Sequence, residues 1–396
     1  MTAERNVTDP GRIACLFSTS GHSGVDRLAQ HLLPAMARRG YCVDLLKVRR
    51  HGPDLISAAA TTPGLDIIDL GSPHTYGCMP AIVRYLRRAR PAVMLSDKDR
   101  VNRTALLARA LAGVTTRLYL RSGTTLSVDL ASRGALTRWL QRRSVATLYP
   151  RATGVLVPSR GAADDLVAFA GLDAAMIRVV PTPVVPEALF GAPPPPPSHP
   201  WFHASDAPLI LGVGELSPRK DFATLLRGFA RLRATRPCRL MLLGAGGERE
   251  NLLALADRLG ITRDIALPGF VPRPYAQLAH ADLFVLTSRW EGMPLVLIEA
   301  LACGTPVVAT DCPSGPREVL ADGHHGALVP VGDAGALAAA MEASLAPPRA
   351  AAQLRRIARP YGIEAATSAY LQAMELPPEA PRPAQPSRRA PTTGLG

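Results

Sequence analysis

Aromatic side chains are scarce in this sequence: tryptophan, tyrosine and phenylalanine make up 5% of its 396 residues. A groove that stacks single-stranded nucleic acid needs a row of them, so that class of protein is disfavoured. Cysteine is scarce as well. Its six copies (Cys15, Cys42, Cys78, Cys238, Cys303, Cys312) are scattered with no C-x-x-C pair. That spacing argues against a disulfide framework or zinc site and suits a reducing compartment. No apolar run approaches the roughly 18 residues that span a bilayer, and the polar residues 1–10 carry no apolar signal-peptide core. A cytoplasmic location is therefore expected. Acidic residues are few beside basic ones, 32 against 45, for a formal net charge of +13. Such an excess suits polyanions (nucleic acid, anionic lipid heads or phosphate-rich substrates), and equally a solvated surface. Part of it lies in the tail, where Arg382, Arg388 and Arg389 sit among prolines.

What is present is a chain long enough for two α/β domains, 47% hydrophobic. Short apolar runs alternate with helical patterns, the mark of parallel α/β architecture. Strands are expected at 13–17, 43–48, 66–70, 92–96, 117–120 and 154–157, with helices at 25–39, 81–88, 103–111 and 136–148. The pattern restarts with strands at 209–213, 240–243, 264–267, 283–286 and 306–309, and helices at 222–234, 249–259, 296–302 and 334–345. An unbroken proline run at 193–197, then Pro200, is stiff and unable to join a sheet. The expected division is a domain over 1–190, a linker over 191–205, a second domain over 206–360, a helix over 361–375 returning toward the first domain, and a disordered tail over 376–396. Two doubly wound domains would face each other across a cleft that both sets of strand C-termini border, where ligands bind in such folds.

Residues 290–306 read WEGMPLVLIEALACGTP. Pro294 suits the first turn of a helix, where its missing N–H costs nothing. The backbone amides of Gly292, Met293 and Leu295 would then lie at a helix N-terminus, a natural phosphate site. Glu291 falls in the preceding loop. Glu299 lies along the helix, where a carboxylate can accept both hydrogen bonds of a ribose diol. The plain alternative is a buried α/β turn with solvated glutamates.

The stretch resembles the E-x7-E signature of the retaining glycosyltransferases of family 4, which have the GT-B fold of two facing Rossmann-like domains. The resemblance implies that Glu291 lies near the donor sugar and its anomeric carbon, and that Glu299 binds the nucleotide ribose. Residues 212–222, GVGELSPRKDF, resemble the family's Gly-Arg-Leu segment with a lysine five residues beyond the arginine. There an Arg/Lys pair neutralises the departing diphosphate. Lys220 matches the lysine, Glu215 stands where the arginine is usual, and the adjacent Arg219 is the candidate replacement. Gly214 belongs to the same donor-binding segment. Residues 310–320, TDCPSGPREVL, resemble the family's next segment, which implies that Ser314 and Gly315 lie against donor sugar or phosphate. Residues 267–271, LPGFV, correspond to the loop beside the nucleotide base.

On the acceptor side, residues 20–27 (SGHSGVDR) resemble the family's Gly-rich cleft loop. Gly24 would permit close backbone approach, and His22 is either a proton relay or a solvated loop histidine. Arg121 matches a cleft position often basic in this group, and Ser159 a small polar residue at the cleft. Asp97-Lys98-Asp99 has the D-x-D spacing of a metal site in a different glycosyltransferase fold, but in a doubly wound pattern it is expected to be a strand-end loop, with no metal and no cofactor. Residues 133–151 (RGALTRWLQRRSVATLYPR) combine apolar residues with five arginines. They form either a helix that lies on anionic lipid or one packed on its own sheet with a charged outer face.

The function implied is retaining transfer of a hexose or N-acetylhexosamine from a nucleotide sugar, UDP foremost, to a glycan or lipid-linked acceptor of a surface polysaccharide. Peripheral contact with the inner face of the cell membrane would accompany a lipid-linked acceptor. Nucleic acid is not an expected partner. The alternatives are a sugar-nucleotide epimerase on the same fold and a basic nucleic-acid-binding protein.

Overall fold

Runs of apolar residues such as 13–17, every one fully buried, are apolar on both faces, as strands covered by helices on both sides must be. The computed structural model describes residues 9–18, 24–48, 61–72, 74–131, 133–203, 207–345 and 350–381. Its strands form two wholly parallel sheets. The first orders its seven strands β3-β2-β1-β4-β5-β6-β7 and the second its six β10-β9-β8-β11-β12-β13. In the first sheet β1 is Asp9–Phe17, β2 Cys42–Lys47, β3 Leu65–Asp69, β4 Pro91–Asp97, β5 Arg117–Arg121, β6 Gly154–Val157 and β7 Ile177–Val179. In the second, β8 is Leu209–Val213, β9 Arg239–Leu243, β10 Ile265–Gly269, β11 Leu283–Leu286, β12 Val307–Thr310 and β13 Ala327–Val329. Both orders are doubly wound, reversing beside β1 and β8, and the loops that leave the strands there border the cleft.

Two of the four edge strands, β7 and β13, have three residues each and were not foreseen. Neither has a run long enough to show a period. The helix Arg160–Ala170 was missed as well, although Ser159 caps it by accepting from the Ala162 N–H at 3.2 Å.

The helix Leu295–Cys303 is buried all round. Leu297, Ile298 and Leu301 are fully buried, and the helix Ala351–Ala358 covers it so closely that a Cβ on Gly304 would meet that of Ala351 at 2.7 Å. Burial of each such leucine or isoleucine is worth about 1.5–3 kcal/mol. That packing supports the one charge the helix carries, Glu299.

The chain crosses between the sheets twice, and the crossings lie side by side. The Val184 and Val185 N–H groups both donate to the Tyr361 carbonyl at 3.1 Å, and the Ile363 N–H donates to that of Val185 at 3.0 Å. The proline run is laid against the second sheet's half, where the Pro194 carbonyl accepts from His280 at 2.8 Å. Beyond the second crossing, the helix Ile363–Ala373 buries Tyr370 and Leu371 against Ile13 and Leu28 of the first half. Residues 376–381, expected to be disordered, instead continue this packing. Leu376 is buried, and the Ala380 N–H donates to the Arg39 carbonyl at 2.9 Å. The apolar Leu376 and the backbone bond anchor a segment whose composition alone signals a tail.

Candidate active site

A cleft of about 890 Å³ lies between the sheets, walled by Gly24, Gly123 and Thr124 from one half and by Gly214, Gly244 and Phe270 from the other. Each follows soon after a strand ends. At its centre the Glu291 carboxylate holds two cations. Lys220 Nζ donates to Oε1 at 2.5 Å and Arg219 Nη1 to Oε2 at 2.8 Å, while Ser288 Oγ adds a 2.6 Å bond to Oε1. Burial pushes this carboxyl up, but the charges of Lys220 and Arg219 outweigh it and hold the group below its ordinary value. Nearby Cys312 is pushed by burial to about 12, so its thiol stays protonated and unreactive.

Adjacent residues rarely converge on one target, and the local backbone explains why these two do. The Lys220 N–H donates back to the Ser217 carbonyl at 3.1 Å, closing a turn. Asp221 follows in a left-handed conformation (φ 46°) and caps the helix Phe222–Arg233 through Thr224. Arg289 N–H donates to the Arg219 carbonyl at 2.8 Å, and Thr287 Oγ1 to the Lys220 carbonyl at 2.8 Å. The two loops at the strand reversal are thereby knitted together. Gly214 leaves room for the lysine stem, since a Cβ there would sit 3.0 Å from Lys220 Cε.

Glu299 is fully buried on the cleft wall. One oxygen pairs with Arg27 of the helix Gly24–Arg38, across the cleft. The other, Oε2, has no hydrogen-bond partner among the described residues. A buried carboxylate oxygen left unpaired is costly, so this atom suits a ligand that brings hydroxyl donors. Sequence reasoning passed over Arg27, although it lies in the SGHSGVDR stretch. Gly24 lies at the cleft, as expected. His22 lies outside the described residues.

Several expected residues sit elsewhere. Ser314 and Gly315, expected against the donor, do not line the cleft; they lie in the seam behind it. Ser314 N–H donates to the Glu291 carbonyl at 2.9 Å, and its Oγ lies 3.1 Å from Ser159 Oγ and 3.2 Å from Thr125 Oγ1. Thr125 Oγ1 donates to the Glu291 carbonyl at 3.1 Å and Ser159 Oγ to that of Gly292 at 3.1 Å. Both carbonyls are thus drawn toward the first half, and planar trans peptides turn the Gly292 and Met293 N–H groups the opposite way. Gly292, Met293 and Leu295 line the cleft. Pro294 is not in the first helical turn but just before it, as the cap residue; its ring packs where a Cβ on Gly315 (φ 100°) would approach to 2.6 Å. Proline's fixed φ serves either position, which is why the sequence did not separate them.

Arg121, expected on the cleft, is buried inside the first half. It donates to Asp97 Oδ2 at 2.6 Å, to Tyr370 Oη at 2.9 Å and to Thr182 Oγ1 at 3.3 Å. A guanidinium this deeply buried is held by these partners within the fold and is not among the residues that line the cleft. The D-x-D acids are occupied too: Asp97 by Arg121, Asp99 by Arg103 and by Tyr149 Oη at 3.2 Å. Phe270 and Val271, in the expected base loop, line the cleft.

Residues 22–188 match the family model described as Glycosyltransferase Family 4, and residues 198–361 that of the glycosyl transferases group 1. The chain is 33% identical over 237 residues to the N-acetylgalactosamine-N,N'-diacetylbacillosaminyl-diphospho-undecaprenol 4-alpha-N-acetylgalactosaminyltransferase of Campylobacter jejuni, covering 59% of this chain and 61% of that one. It is 36% identical over 179 residues to the lipopolysaccharide core biosynthesis glycosyltransferase LpsE of Rhizobium meliloti, covering 44% and 52%. The chain thus spans under two thirds of either relative's length. The solved structure of Anabaena Alr3699/HepE in complex with UDP superposes with a TM-score of 0.76 at 18% identity, over 92% of this chain and 99% of that one. The shared fold is GT-B. The epimerase alternative has no support among the matched relatives.

Proposed function

We propose, because its two halves match the family models of family 4 and group 1 glycosyl transferases, that the chain moves a hexose or N-acetylhexosamine from a nucleotide sugar to a glycan or lipid-linked acceptor. UDP is the proposed nucleotide, and the anomeric configuration of the donor is retained. The observation that carries this is Glu299: a carboxylate fully buried on the cleft wall, with Arg27 on one oxygen and no partner among the described residues on the other. A ribose diol supplies the missing donors. Lys220 and Arg219, on the same wall, suit the diphosphate, and the Gly292 and Met293 amides add neutral donors at the start of a helix.

A donor diphosphate would compete with Glu291 for its two cations. As the bond from the anomeric carbon to the phosphate oxygen breaks, its electron pair leaves with the phosphate, and Lys220 and Arg219 stabilise that charge. Glu291, released from them, would face the developing positive charge on the sugar. The acceptor hydroxyl attacks from the same face, forming the new bond to the anomeric carbon and passing its proton to the departing phosphate oxygen. A lipid-linked acceptor stays in its leaflet, so the proposed partners include an anionic membrane surface at the inner face of the cell membrane. Among the described residues no helix is long and apolar enough to cross a membrane.

Calorimetric titration with UDP, GDP and ADP tests the proposal. UDP is expected to bind best, and Glu299→Gln to weaken it about tenfold or more, the worth of one charge-assisted hydrogen bond. Binding of none of the three, or UDP affinity untouched by the substitution, would overturn it.

A further inference from the structure

The helix Ala135–Leu148 faces the wrong way for a helix that merely covers its own sheet. Among its described residues only Val145 is buried. Leu136, Trp139 and Leu140 are 70%, 56% and 53% exposed. They recur at i, i+3 and i+4, and so form one stripe, while Val145 lies about half a turn out of phase with Leu136, on the opposite side. The apolar stripe therefore points outward. Water-facing Leu and Trp gain nothing from folding, yet the other two tryptophans, Trp201 and Trp290, are part-buried.

The surroundings of the stripe are basic. Arg133, Arg138, Arg142 and Arg143 are all exposed, and no acidic residue occurs anywhere in 133–151. The stripe also lies on the cleft side of its half. β4 ends there at Asp97, the helix Asp99–Ala112 starts immediately after it, and Arg103 in that helix bonds Gln141 beside Leu140. Asp129, shortly before the stripe in sequence, is on the cleft wall.

We infer that this stripe is a docking face for an anionic bilayer, which holds the cleft mouth over the leaflet in which the acceptor resides. The inference rests on the proposed lipid-linked acceptor. Three apolar side chains are too few for a stable protein interface, which needs about 800 Å² per partner. They suffice to enter the headgroup boundary when arginines supply attraction to anionic lipid.

The test is sedimentation of the full chain with phosphatidylcholine vesicles with and without phosphatidylglycerol, alongside UDP titration and light scattering. The chain is expected to bind only the anionic vesicles, less so in high salt. Trp139→Glu with Leu140→Glu, and separately Arg142→Glu with Arg143→Glu, should each lower that binding about tenfold or more while leaving UDP affinity unchanged. Equal binding to both vesicle types, or binding indifferent to both variants, overturns the docking face. So does a concentration-dependent dimer that the first variant abolishes, because the stripe then belongs to a second copy. A chain that binds UDP and ignores vesicles loses the docking face alone. One that binds anionic vesicles and no nucleotide keeps the face and loses the proposed glycosyl transfer.

Discussion

Glu291 holds two cations that a donor diphosphate would also hold, and this double engagement sets its titration. Its carboxyl lies below the usual 4.5 in the folded protein because Lys220 and Arg219 outweigh the opposing effect of burial. A group depressed on folding contributes stability that is present above its unfolded value and is lost as pH falls through the folded one. Glu291→Gln, which leaves buried Lys220 facing a neutral amide, is expected to cost about 3 kcal/mol at neutral pH. Chemical denaturation at descending pH should show the gap between the two proteins closing below about pH 4.5. A gap that stays constant down to about pH 3.5 would refute the assignment. At this scale Glu291, Glu299 and Lys220 were legible because each lies in a short stretch whose residues act together. Arg27 was not: its partner Glu299 is 272 positions away, and an arginine near a helix start looks the same whether it meets solvent or a carboxylate on another domain.

The loop from Thr287 to Pro294 is held from both sides, by the turn at 215–220 in front and by Thr125, Ser159 and Ser314 behind. Gly292 is a point of close backbone approach between the halves. A Cβ there would stand 2.2 Å from the Gly123 carbonyl and 2.9 Å from Thr124 Cα, both backbone atoms of the other half. Neither can give way as a flexible side chain could. Gly292→Ala should therefore part the two halves at the seam, at a cost of about 1–3 kcal/mol, with UDP affinity falling about tenfold. Small-angle scattering should report a larger radius of gyration with unchanged far-ultraviolet circular dichroism. An unaltered scattering profile together with full UDP affinity would count against the seam as a constraint on the loop. The motif's spacing announced a helix start at this loop, but the seam was hidden. Thr125 carries no pattern of its own, Ser159 and Ser314 read as cleft residues, and only the approach of the two halves brings the three hydroxyls together as a fastener.

Across the whole molecule, the helix Ile363–Ala373 follows the second half in sequence and belongs to the first by packing. Tyr370 completes the buried set around Arg121, accepting from its Nε at 2.9 Å. Tyr370→Phe keeps the ring and strands that donor, so it should cost about 1–3 kcal/mol. Thermal unfolding should show it as a midpoint lowered by about 2–4 °C for each kcal/mol; an unchanged midpoint would mean that Asp97 and Thr182 satisfy Arg121 alone. The amino-acid sequence by itself determined the parallel α/β class, the restart of the pattern beyond the proline run, and the acids and lysine of the cleft. These are local: a strand's apolar run, a helix's period and a motif's spacing are each decided by neighbours within a few turns. The tertiary structure alone decided that Arg121 serves the fold and not the cleft, that Ser314 and Gly315 line a seam, and that Leu136, Trp139 and Leu140 face outward. Each of those depends on which surface a side chain meets once distant elements and the two halves have packed, and no interval of sequence records that meeting.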